Sequence, residues 1–168
     1  LMALHTSSTF YHGIVSHKVK NKFRILDHAG IYLLIAGTYT PICLINLYGP
    51  WGWSMFGVIW GLCLIGIFLK IMDITPFKNY ENYLYLTMGW LALIGIYPII
   101  IHFTKMPIIL LFLGGILFTV GILFYIWDNK KYFHAIWHLF VIGGSVCHYL
   151  LIILYVIPYV IPTTDKLL

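Results

Sequence analysis

Apolar residues in this chain come in long runs rather than on one face of each element. The first run, Leu1 to about His17, ends in the basic segment Lys18-Val19-Lys20-Asn21-Lys22-Phe23-Arg24. Asp27 and His28 open the next, which continues through Gly37 and Pro41 to Leu47, and the proline predicts a kink. After the uncharged turn Tyr48-Gly49-Pro50-Trp51 a third run covers about Gly52 to Leu69, and a polar loop from Lys70 to Glu81 contains Pro76. A fourth extends from Asn82 to Ile101 with Pro98 near its end, Thr104-Lys105-Met106-Pro107 turns the chain, and Ile108 to Trp127 is the fifth. Asp128-Asn129-Lys130-Lys131 then leads into the last, His134 to about Ile157. Helices of about 20 apolar residues cross a ~30 Å hydrocarbon layer, so the pattern predicts one partial and five complete transmembrane helices.

Composition agrees: 61% of the 168 residues are hydrophobic and 9% are charged. A soluble domain would keep charge on the outward face of each helix, and here whole segments lack it. The expected fold is all-α, a polytopic transmembrane helix bundle forming a single integral membrane domain over residues 1–168. Leu1 in place of a start methionine, with helix-like residues at once, suggests a chain truncated at its N-terminus. Cys43, Cys63 and Cys147 lie singly inside apolar runs with no C-x-x-C spacing, which reads as small buried hydrophobes rather than a disulfide or a metal site.

The net charge of +5 carries no implication of nucleic acid, because the cations fall in short loops and set helix orientation. Lys18, Lys20, Lys22, Arg24, Lys70, Lys78, Lys130 and Lys131 share one side, against Lys105 and Lys166 on the other. The positive-inside rule puts the first group in the cytoplasm and the C-terminus outside. Trp51, Trp53, Tyr155 and Tyr159 then fall in the outer aromatic belt, and Tyr80, Tyr83, Trp127, Tyr132 and Trp137 near the inner one.

This topology brings chemistry together. His134 and His138 are four residues apart, on one helix face, where both imidazoles can reach one ion. His12 lies just over one turn before the basic segment and Asp27 just after it, so all four come out at one depth inside the cytoplasmic boundary. Ionisable groups at membrane depth are costly unless paired, hydrated or metal-bound, which makes their coincidence a site signal. Three neutral imidazoles suit Zn²⁺ and leave a fourth position for water, the pattern of a catalytic site. The residue after His134 is Ala135, not the glutamate of a zincin helix, so the general base has to come from elsewhere. Asp27 is the candidate: it could hold the water and take its proton while the metal polarises a substrate carbonyl. Its bland alternative is a helix cap. Ser8, four residues before His12, shares its face and could touch the site or simply bond another helix. His148 is ten residues beyond His138, about 15 Å deeper, and reads as a core hydrogen-bonding residue. His5 reads as lining the bundle, His17 and His102 fall in a loop and at the opposite membrane face, and His28 points about 100° around the helix from Asp27.

At these residues the chain resembles the hemolysin III and progestin/adipoQ receptor family of seven-helix membrane proteins. The resemblance rests on Ser8-Thr9-Phe10-Tyr11-His12, on the stretch Leu26-Asp27-His28-Ala29-Gly30-Ile31-Tyr32-Leu33-Leu34-Ile35-Ala36-Gly37-Thr38-Tyr39-Thr40-Pro41, and on His134-Ala135-Ile136-Trp137-His138. It covers essentially the whole chain and looks nearest to the shorter bacterial-type hemolysin III branch, which implies an inner-membrane location. It implies seven helices, with the first and part of the second missing here. It also implies a zinc ion near the cytoplasmic side held by His12, His134 and His138, with Asp27 reaching it through water and Ser8 nearby. Ceramidase-like amide hydrolysis, linked to receptor relatives, implies membrane lipids as partners and a lipid-like substrate. A membrane-state sensor with a structural zinc is the non-enzymatic alternative. The family name implies a cytolytic pore, although no helix here has a strongly amphipathic polar stripe.

Overall fold

The structure, a computed structural model, describes residues 17–72, 80–127 and 129–159. Among them every regular element is a helix. Helix α1 spans His17–Pro41. The basic segment is therefore helical rather than a loop, and Asp27 lies well inside the helix rather than at its start. Lys and Arg are good helix formers, and no Gly or Pro interrupts the stretch before Gly30. A helix-capping role for Asp27 is thereby excluded.

Pro41 has no N–H for the Gly37 carbonyl, and the chain widens there into a π-helical turn, Ile42–Asn46, closed by the Leu47 amide on the Ile42 carbonyl at 3.0 Å. Gly49 then reverses the chain at φ 112°, a conformation open to glycine, and Pro50 starts helix α2, Pro50–Ile71. Lys70, expected in a loop, is in the last turn of α2.

The fourth apolar run is not one straight helix. It comprises α3 (Glu81–Trp90), a 3₁₀ turn (Leu91–Leu93) and α4 (Ile96–His102), bent by 50°. The cause of the break is Tyr39 of α1, whose hydroxyl donates to the Gly89 carbonyl at 2.7 Å and accepts from the Ala92 amide at 2.9 Å. A side-chain oxygen inserted into the backbone ladder opens a helix at that point. Helix α5 spans Lys105–Ile126 and α6 spans Phe133–Leu151, continuing through a second π turn, Ile152–Val156, and a 3₁₀ turn, Ile157–Tyr159.

Four helices among the described residues are long and apolar enough to cross a membrane, or five with the bent pair taken as one span. Their outward faces carry Leu64, Phe68, Ile109, Ile116, Leu123 and Leu139, all exposed, as expected for contact with acyl chains rather than water. The protein is an integral multi-pass membrane protein.

Small residues set the close pairs, as in membrane bundles generally. Helices α5 and α6 meet at Gly114, Gly121 and Gly144, where an added Cβ would run into His148, Phe140 and Phe118 respectively. Helices α1 and α2 meet where Gly66 accommodates the ring of Tyr32 and Gly52 accommodates the carbonyls of Cys43 and Leu47. Cys43, Cys63 and Cys147 are free thiols, the first two fully buried.

Candidate functional site

The π turn Ile42–Asn46 packs against the π turn Ile152–Val156, and Ile31 and Leu34 pack against Trp137 and Val141. Helices α1 and α6 therefore run parallel and in register. Eleven residues separate Ile31 from Ile42, and eleven separate Val141 from Ile152. One turn before Ile31 is Asp27, and one turn before Val141 is Trp137, flanked by His134 and His138. The register thus brings Asp27 level with the histidine pair. Asp27 is buried, at 7% exposure, and it and both histidines are engaged by their surroundings.

His134 and His138 lie edge to face with ring centroids 4.9 Å apart, and Trp137 packs on both, at 5.0 and 4.4 Å. Two imidazoles bound tetrahedrally to one zinc, with Zn–N of about 2.0–2.1 Å, would have centroids roughly 5 Å apart. The pair therefore fits two corners of such a site. Among the described residues no group of three or more His, Cys, Asp or Glu is placed to hold a metal ion. The third expected ligand, His12, and its neighbour Ser8 lie outside the described residues, as does His5. Trp137, expected in the inner aromatic belt, is instead core, at 5% exposure, because the α1 contact covers it. The remaining inner aromatics, Tyr80, Tyr83, Trp127 and Tyr132, are exposed.

A second polar group, absent from the sequence expectations, sits at the same end. Lys70 of α2 and Glu81 of α3 are 8% and 5% exposed and form an ion pair, Nζ to Oε2, at 2.7 Å. His28 of α1 joins them, its Nδ1 lying 2.9 Å from Lys70 Nζ and 3.0 Å from Glu81 Oε1. Tyr85 donates to Glu81 Oε1 at 2.7 Å and lies 3.2 Å from the His28 carbonyl. Lys70 and Glu81 are thus not solvated loop residues. The masking signal was the stretch between them, which reads as a polar loop; the usable one was that each ends a run at helix spacing, with Glu81 four residues before Tyr85.

An aromatic chain links the two groups: His28 lies edge-on to Tyr125 at 6.4 Å, and Tyr125 lies 4.9 Å from Trp137. Tyr125 and Trp137 also wall a largely apolar, open-mouthed cavity of about 100 Å³ between α1, α3, α5 and α6, with Ile31, Leu86, Phe118 and Ile122. Two of the other histidines hydrogen-bond to backbone carbonyls, and for His148 this is the core role expected of it. His148 bonds the Leu111 carbonyl at 3.2 Å, and His102 bonds the Pro98 carbonyl of its own helix at 2.8 Å.

The family model described as Haemolysin-III related matches residues 1–149. The chain is 44% identical over 158 residues to Hemolysin-3 of Bacillus cereus, covering 94% of this chain and 72% of that one. It is 43% identical over 155 residues to the Hemolysin-3 homolog of Bacillus subtilis (strain 168), covering 92% and 73%. A more distant relative, the human Monocyte to macrophage differentiation factor, is 32% identical over 160 residues, covering 89% of this chain and 64% of the relative. No solved structure gives a significant match.

Proposed function

Because the chain belongs to the haemolysin-III related family, and because its paired imidazoles stand level with a buried carboxylate beside an apolar cavity, we propose a zinc-dependent hydrolase of lipid amides or esters, ceramidase-like in chemistry. The observation that carries the reading is the His134–His138 pair in register with Asp27. His134 and His138 would hold the ion together with His12. A zinc ion bound there supplies Lewis acidity, lowering the pKa of water and polarising a carbonyl.

The chain's own residues do the rest. The Asp27 carboxylate accepts a proton from the attacking water and returns it to the leaving amine or alkoxide, a single group acting as base and then acid. Its burial keeps bulk water out of competition. The cavity between α1, α3, α5 and α6 takes the acyl chain, and its wall at Trp137 and Tyr125 sets the carbonyl beside the histidines. Ser8 is the further candidate contact to a substrate oxygen. In this reading the site faces the cytoplasm across a bacterial inner membrane, with the cation-rich end of the bundle inside and the C-terminus outside.

The test starts with elemental analysis of the purified protein. Zinc near one per chain that is lost in His134→Ala and His138→Ala, and kept in Asp27→Ala, supports the ligand set. Hydrolysis of ceramides in mixed micelles that disappears in Asp27→Asn with zinc retained supports the enzyme. Zinc whose removal unfolds the bundle, with no lipid cleavage by the loaded protein, would instead make the ion structural.

A further inference from the structure

The cavity walled by Trp137 and Tyr125 is a slot rather than a sphere. Its lining includes Trp137 and His148 on α6, eleven residues apart, and Ile31 and Ile42 on α1, also eleven apart, so it runs about 16 Å along the helix axes. The histidine pair stands at one end, where Trp137 packs on both rings. His148 stands at the other, about 15 Å beyond His138. Along the slot, polar side chains are spent within the protein. Thr38 donates to the Leu34 carbonyl and Thr119 to the Gly115 carbonyl, both at 2.8 Å, and Trp90 donates to the Thr119 hydroxyl at 3.0 Å. Tyr39 is held by Gly89 and Ala92. His148 differs. Its Nε2 lies 3.2 Å from the Leu111 carbonyl, which can only accept, so in the neutral ring Nε2 carries the hydrogen and Nδ1 a lone pair. An added Cβ at Gly114 of α5 would meet the Nε2–Cδ2 edge of this ring, so Nδ1, the opposite corner, is turned away from α5. Among the described residues no donor bonds to it. A lone pair beside an apolar slot is satisfied by a ligand that brings a donor and left unpaired by one that does not.

We propose that His148 makes the slot selective for lipids whose chain bears a hydroxyl near its middle, the hydroxyl donating to Nδ1. A lipid chain is the occupant because the slot is long and apolar and lies between helices whose outer faces meet acyl chains. An extended chain advances about 1.2 Å per bond, by the polypeptide's ~3.6 Å per three bonds, so ~15 Å is covered in about 12 bonds. A chain with its head at the histidine pair therefore brings a hydroxyl on about its twelfth carbon to His148, whereas a hydroxyl beside the head stays near Trp137. A site that hydrogen-bonds a hydroxyl discriminates against the analogue lacking it, because its own polar group is otherwise left unpaired. Setting the reactive carbonyl at the histidine pair rests on the hydrolase reading. The acceptor at the far end of the slot does not.

The test is competition binding to the full chain in phosphatidylcholine nanodiscs, with a fluorescent polyene fatty acid displaced by octadecanoate, 2-hydroxyoctadecanoate or 12-hydroxyoctadecanoate. Wild type is expected to bind the 12-hydroxy acid about fivefold more tightly than either other acid, the worth of one neutral hydrogen bond. The two hydroxy acids differ only in the position of the hydroxyl. His148→Phe keeps a ring and removes the lone pair, and is expected to bring their ratio to about one. Equal binding in wild type means that Nδ1 is served by water or by nothing, and overturns the proposal. So does a preference that survives in His148→Phe, or a failure of all three acids to displace the probe. If His148→Phe does not fold, the three acids in wild type decide: a preference for the 12-hydroxy acid over both others supports the proposal, and equal binding sinks it. The readout is binding rather than zinc content or cleavage. A protein that cleaves no lipid can still show the preference, and one that cleaves ceramides can lack it, so the two readings fail separately.

Discussion

Removing one partner of the Lys70–Glu81 pair is the most direct probe of how the bundle is held at this end. The Nζ–Oε2 distance is 2.7 Å, the two side chains are 9% and 7% exposed, and three helices meet there through His28 and Tyr85. Lys70→Met keeps the side-chain volume and deletes the charge, leaving the Glu81 carboxylate with Tyr85 and His28 but no counter-ion. A buried ion left without its partner costs about 3–5 kcal/mol, several times the ~1 kcal/mol of an exposed pair. Glu81→Gln should cost a similar amount, since it leaves the Lys70 ammonium buried. The double variant removes both desolvated charges and should lie within about 1–2 kcal/mol of wild type, so the cycle should show a coupling of about 4 kcal/mol or more. Stability read by circular dichroism during SDS titration of detergent-solubilised protein measures all four corners. Single variants costing under ~1 kcal/mol, or a double variant costing the sum of the singles, would refute the buried-pair reasoning.

Tyr39→Phe removes both hydrogen bonds at the α3 break and leaves the Ala92 amide without its partner, an expected loss of about 1–3 kcal/mol read by the same titration. Gly114→Ala sets a methyl against the His148 ring and should cost about 1–3 kcal/mol, lowering the thermal midpoint, whereas Gly115→Ala meets Trp90 only at 3.8 Å and should be nearly neutral. Tyr132 enters α6 at φ 70°, a left-handed conformation that costs a non-glycine residue about 1–2 kcal/mol, so Tyr132→Gly should be neutral to mildly stabilising while Gly49→Ala is destabilising by about 1 kcal/mol. If the hydrolase reading holds, Ile122→Trp, which narrows the cavity, should leave zinc content unchanged and lower kcat/KM for long-chain lipid amides on the order of tenfold, or ~1.4 kcal/mol.

The membrane fold was legible in the chain because apolar length is a one-dimensional property: about 20 residues without charge span a bilayer whatever they pack against. The pairing of His134 with His138 was legible for a similar reason, since residues four apart on a helix are neighbours by construction. The level of Asp27 followed from counting turns, although the helix around it does not start where the charges suggested. The rest was decided by contacts between segments distant in sequence. The break after Trp90 depends on a hydroxyl at Tyr39, fifty residues away from the Gly89 carbonyl that it meets. The burial of Trp137 depends on Ile31 and Leu34 of another helix. Lys70 and Glu81 read as polar loop residues because a charge carries no mark of its partner, and only the meeting of α1, α2 and α3 makes them a desolvated pair with His28 between them. Sequence determined which segments enter the membrane; the tertiary structure decided which polar groups pair inside it, because pairing depends on the distance between helices and not on spacing along one.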